Sequence, residues 1–248
     1  MRAVEPCIML ETRENIDQLD EIVERWMKRV HNVGYDACFF EINERLDPRA
    51  IQSMSTAIRA RKGLAQALTR VTIGLERRHD LKRDLQGIRG LFNVNALVVA
   101  STSTEVMNFV ARDGRIDAIS LETQEQAAAF NDGVASLASQ SGTIIELPFK
   151  PLLSTRGSSR SRLLRTYGKV VDTCLDNHTM LSFPTGATSP VDVKTPAQKI
   201  AVLSLLLDLS KQEAKEIIMR NPLELARPGK NRDTGMTVVE LDGEDATP

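Results

Sequence analysis

Between Glu146 and Asp172 the chain has no acidic residue, yet it carries Lys150, Arg156, Arg160, Arg162, Arg165 and Lys169. Such a stretch binds anions. Arginine forks grip phosphate oxygens bidentately, and a lysine adds a compact point charge. Gly157, Ser158 and Ser159 add backbone N–H groups and hydroxyls at the start of a helix, where unpaired amides favour anions. A second set, Arg77, Arg78, Lys82, Arg83 and Arg89, gathers after another apolar run, diluted by Asp80 and Asp84. Two arginine-rich junctions suit a phosphate backbone. Taken singly, each set also reads as a solvated helix face, with intrahelical ion pairs in the second.

Carboxylates supply the competing chemistry. Glu11, Glu41, Glu76, Glu122 and Glu146 each stand at or just after the end of an apolar run. Converging there, they could hold Mg²⁺ or Mn²⁺ for hydrolysis. They could equally cap helices or pair with nearby arginines. Histidine does not help the metal reading: His31, His79 and His178 are far apart, with no H-x-H or H-E-x-x-H spacing. No serine elbow or cysteine–histidine signature is present. The sequence therefore nominates no catalytic residue and no metal ligand.

These groups need elements to position them. Short apolar runs at 6–10, 37–42, 71–75, 96–100, 116–121, 143–147 and 179–183 predict strands. Helical patterns separate them. The first is capped at Asn15 with Gln18 three residues on. Others run over 48–68, after Asp80, around Val106, and over 127–141 up to Gly142. In the basic helix, Leu163, Leu164, Tyr167, Val170, Val171 and Cys174 share one arc, and Arg162, Arg165 and Lys169 the opposite one. Arg160 is assigned to the preceding loop, pointing across the barrel mouth. Two closing helices start at Thr195-Pro196 and Ser210, the second ending before Asn221-Pro222.

Continuously apolar strands alternating with helices imply parallel strands covered on both faces. With no Gly-rich dinucleotide fingerprint, the pattern predicts an α/β fold. It is a TIM-like (β/α) barrel of about seven parallel strands with extra C-terminal helices. Residues 1–226 form one domain, and 227–248 a polar, then acidic, disordered tail. The net charge of −1 rules out a uniformly basic coat but allows a basic patch. Aromatics make up only 4%, too few for a surface that stacks single-stranded bases. Cys7, Cys38 and Cys174 are widely spaced thiols that point to a reducing compartment. With no long apolar run and no signal pattern, a cytoplasmic location is expected.

Several blocks carry a family likeness: LERRHDLKRDLQGIRGLF (75–92), FNDGVASLASQSG (130–142), ELPFKPLLS with SRSRLLRTY (146–167), SFPTGATSP (182–190) and RNPLELA (220–226). The chain resembles archaeal ribonuclease P protein component 3, the homologue of the thirty-kilodalton subunit of the eukaryotic enzyme. The resemblance implies a TIM-like barrel related to the polymerase-and-histidinol-phosphatase superfamily of metal phosphoesterases. Most of that superfamily carries H-x-H on the first strand, where this chain reads CIMLETRE. The resemblance further implies a non-catalytic subunit of a ribonucleoprotein that removes the 5′ leader from precursor tRNA. The RNA does the hydrolysis with Mg²⁺, and the partners are that RNA, protein component 2 and other holoenzyme protein subunits. The arginine sets are the expected RNA contacts: Arg156, Arg160, Arg162, Arg165 and Lys169 first, then Arg77, Arg78, Lys82, Arg83 and Arg89. A metal-dependent phosphoesterase using the carboxylates is the alternative. A pure protein scaffold, its basic sets facing acidic partners, is a third reading.

Overall fold

A computed structural model describes residues 3–10, 19–42, 47–76 and 93–227. Within them seven strands form one parallel sheet in sequence order: β1 (Val4–Met9), β2 (Ala37–Ile42), β3 (Gln66–Gly74), β4 (Ala96–Ala100), β5 (Ala118–Ser120), β6 (Ile144–Glu146) and β7 (Leu181–Ser182). Helices cover the outside: α1 (Leu19–Asn32), α2 (Pro48–Arg59), α3 (Thr104–Val110), α4 (Gln124–Ala129), α5 (Asp132–Ser141), α6 (Phe149–Ser154) and α7 (Gly157–Asp176). Then come α8 (Pro196–Leu206), α9 (Lys211–Lys215), a π turn (Glu216–Arg220) and α10 (Asn221–Ala226). This is the expected TIM-like α/β fold.

Alternation along the strands sorts the side chains into two faces. Ile8, Cys38, Phe40, Val71, Leu97, Val99, Ile119 and Ile145 pack beneath the helices, joined by Trp26, Val30, Val106, Val134 and Tyr167. Val4, Ala37, Phe39, Leu68, Ala96, Val98, Ala118 and Ile144 form a separate cluster inside the barrel, plugged by Leu225 of α10. Further along the same faces the inward positions turn polar: Glu41, Arg70, Thr72, Ser120 and Glu146. The barrel interior is therefore apolar at the N-terminal ends of the strands and charged at the C-terminal ends.

The sheet closes without a full β7–β1 ladder. Beyond β7, Ala187 forms a single parallel bridge with Ile8. The Met9 N–H donates to Ala187 O at 2.9 Å, and the Gly186 N–H to Cys7 O at 3.2 Å. Glu5 strengthens this seam. It accepts from the Thr185 N–H at 2.8 Å, from the Thr185 hydroxyl at 2.7 Å and from Lys199 Nζ at 2.9 Å. Lys199 reaches in from α8, and both charges are fully buried.

Four expectations about elements are corrected. The helix expected over 48–68 stops at Arg59, and residues from Gln66 onward belong to β3. Ala65 to Leu68 are good helix formers, but pairing with Ala37, Cys38 and Phe39 of β2 overrides that preference. Between them the chain passes close to α1 at Gly63, where a Cβ would sit 2.5 Å from Met27 Cε. The helix expected over 127–141 is two, because Asn131 breaks it and caps the second by accepting from the Val134 N–H at 3.1 Å. The loop before the basic helix contains α6. The last helix does not stop at Asn221-Pro222: it widens into the π turn and continues as α10. Pro222 lacks an N–H, and a widened turn accommodates that loss. The cap at Asn15, the helix after Asp80 and the tail beyond Arg227 lie outside the described residues.

Lys199→Met removes the counter-ion of buried Glu5, which keeps its Thr185 donors. It is expected to cost about 3–5 kcal/mol in urea unfolding. The double variant Glu5→Gln/Lys199→Met is expected to lose clearly less than the sum of its singles. Strict additivity would show that the pair does not hold the seam.

Candidate nucleic-acid interface

The basic helix α7 follows β6 and lies against the barrel through one apolar stripe. Leu163, Tyr167, Val170, Val171 and Cys174 are buried and Leu164 is half-buried. The Tyr167 hydroxyl donates to Pro148 O at 3.2 Å, and its ring meets Phe183 edge-on, the centroids 6.4 Å apart. Phe183 also takes the edge of Phe149 from α6. Burial pushes the Tyr167 phenol and the Cys174 thiol up from their ordinary pKa values, so both stay neutral.

Outward, α7 presents Arg162, Arg165 and Lys169, all exposed, with Arg156 at its N-cap. None of these four forms an ion pair with a described carboxylate. From Arg162 to Lys169 the row covers about 10 Å of helix at 1.5 Å per residue. Arg160 departs from expectation. It lies inside α7, not in a loop, and is half-buried at the end of the apolar stripe. Glycine and serine at 157–159 open the helix directly: Gly157 takes φ +56° and Arg156 provides no side-chain cap. The second basic set, Arg77, Arg78, Lys82, Arg83 and Arg89, lies outside the described residues.

The barrel mouth holds a cavity of about 1000 Å³ at the C-terminal ends of the strands. Lys150 of α6 stands on its wall, with Glu122, Thr72 and Thr188. Of the carboxylates proposed to converge here, two meet one partner, Arg70. Nη1 and Nη2 of Arg70 donate to the two oxygens of Glu146, each at 2.9 Å. Its Nε lies 2.6 Å from Glu41 Oε2. Nη1 also donates to Pro6 O at 3.0 Å, and Nη2 to Thr72 Oγ1 at 3.2 Å. Glu76 is engaged elsewhere, accepting from the Thr102 hydroxyl. Glu11 lies outside the described residues.

A sequence profile of RNase P subunit p30 matches residues 10–234. The chain belongs to the RNase P subunit p30 family. Ribonuclease P protein component 3 of Methanosarcina barkeri is 28% identical over 173 residues, 67% of this chain and 72% of that protein. Among solved structures, a chain of archaeal ribonuclease P with mature tRNA superposes with a TM-score of 0.68 at 17% identity, covering 89% of this chain and 87% of that one. A putative prolidase from Bifidobacterium longum superposes at 0.55 with 9% identity, over 94% and 70% of the two chains, and shares the fold alone.

The carboxylates at the strand ends raise the question of a metal. The residues here do not fit a divalent ion. A guanidinium already occupies Glu41 and Glu146, and no group of three His, Cys, Asp or Glu among the described residues is placed to hold a metal. His31 and His178 are exposed, away from the mouth cavity. No described helix is long and apolar enough to cross a membrane.

Sequence reading missed Arg70, Glu5 and Lys199. A signal existed for Arg70, a single cation inside a run (ALTRVTIGL) that otherwise reads as buried. The two sides of α7 give a direct check in urea melts. Tyr167→Ala is expected to cost about 3–5 kcal/mol through the cavity it leaves, and Arg165→Ala to stay within about 0.5 kcal/mol. Equal losses would contradict this division of the helix.

Proposed function

We propose that this chain holds the RNA of ribonuclease P against α7 and takes no part itself in bond cleavage. As a ribonuclease P protein subunit it serves an assembly that removes the 5′ leader from precursor tRNA, with protein component 2 as its immediate protein partner. Hydrolysis belongs to the RNA and its Mg²⁺. The observation that carries this reading is the row Arg156, Arg162, Arg165 and Lys169, exposed and without described carboxylate partners, on a helix fixed by a buried stripe.

The physics follows from that arrangement. Folded RNA carries a dense array of phosphates, and cations that meet it release condensed counterions, so affinity falls steeply with salt. A docked helix presents its charges without first having to be ordered, which lowers the entropic cost of binding. Recognition through phosphates and the A-form surface needs no aromatic stacking, in keeping with the low aromatic content. The phosphoesterase reading loses its ligands to Arg70 and is not favoured.

Replacing Arg160, Arg162 and Arg165 with glutamine keeps the helix and removes three charges. RNA affinity is expected to fall. The slope of log K against log salt should flatten by roughly 0.7–0.9 for each phosphate that is no longer neutralised. An unchanged slope in the folded triple variant places the RNA elsewhere.

A further inference from the structure

We propose that the Arg70 guanidinium is a built-in cation filling the place between Glu41 and Glu146 where a divalent ion would bind, so that the barrel mouth is closed to metal. The superfamily to which the resemblance points uses metal, and what fills this end of the barrel here is a guanidinium. Arg70 is only 2% exposed and projects inward from β3, so it cannot swing into solvent without unpairing buried carboxylates. It takes both oxygens of Glu146 and lies against one of Glu41. The remaining oxygen, Glu41 Oε1, accepts from the Thr72 N–H at 2.6 Å. Every oxygen of the two carboxylates is thus already engaged by a donor of the protein, and a second cation entering here would meet the guanidinium charge.

Cys7 lines the same cavity, its Sγ 3.7 Å from Glu41 Oε2. With the guanidinium in place Cys7, Glu41 and Glu146 do not form a metal-holding group; with it removed, two carboxylates and a thiol are donor types that Zn²⁺ or Co²⁺ accepts. The cavity of about 1000 Å³ gives an ion a way in. Arg70 thus separates a charged barrel mouth from a metal-binding one, and removing it should uncover the site.

The test is a Co²⁺ titration of the full chain, wild type and Arg70→Ala, read by bound metal after desalting, by thiolate-to-cobalt absorption and by the thermal melt. The wild type is expected to show no absorption band and no metal-dependent shift of its melt. Arg70→Ala is expected to take up about one equivalent, with a band abolished by adding Cys7→Ser and a melt that rises with cobalt. If Arg70→Ala does not fold in chelator, the expected result is recovery of both melt and band when it is refolded with cobalt. Two results overturn the proposal. One is a band in the wild type that Glu41→Gln or Glu146→Gln abolishes. The other is an Arg70→Ala chain, folded or not, that neither binds cobalt nor gains from it. Neither readout involves RNA, so the assignment of α7 stands or falls separately.

Discussion

A guanidinium buried at the centre of the barrel ties β3 to two strands it does not pair with in the sheet, β6 and β1, as well as to its neighbour β2. Arg70 on β3 reaches Glu146 on β6, Glu41 on β2 and the backbone of β1 at Pro6. Taking charges out of water costs several kcal/mol per ion, which close pairing and hydrogen bonds offset; Nη1 and Nη2 are hydrogen-bonded, and Nε lies against Glu41 without making a hydrogen bond. Burial by itself would lower the Arg70 pKa, but the carboxylates of Glu146 and Glu41 outweigh it and hold the guanidinium charged. Burial also pushes Glu146 above the usual carboxylate range, with Arg70 pulling the other way. Burial likewise raises the Cys7 thiol, so the group beside this cluster stays protonated. The whole mouth depends on that one cation staying in place.

With the centre filled, the outside of the barrel is left to carry function. The Glu5–Lys199 pair plays the matching part at the seam, where the ladder between β7 and β1 shrinks to one bridge. The Arg70–Glu146 pair fixes the end of β6, after which α6 and then α7 follow. Tyr167, Phe183 and Phe149 then seat α7, and its opposite face is free to be cationic. Packing and exposed positive charge thereby fall to different residues of one helix.

The strands were legible because continuous apolar runs such as Ala37–Ile42 and Ala96–Ala100 have little choice but burial on both faces. Capping boxes at Thr195 and Ser210 read correctly because they are local, each needing only three residues. What failed was non-local. Arg70 falls just before the apolar run 71–75, and its partner Glu146 is 76 residues away. Lys199 stands in the helix that starts at Thr195-Pro196, and its partner Glu5 is 194 residues distant. The stretch from Ala65 to Leu68 has helical propensity and becomes strand only through its neighbour β2. Arg160 was misplaced because Gly157 signals a break, and the chain uses that break to begin a helix.

Photocrosslinking in reconstituted ribonuclease P tests the central claim most directly. A photoreactive side chain at Arg165 on α7 is compared with one at Gln52, exposed on α2 across the barrel. The account predicts a crosslink to RNA from position 165 and none from position 52. RNA captured from position 52 alone, or only protein captured from position 165, would contradict it.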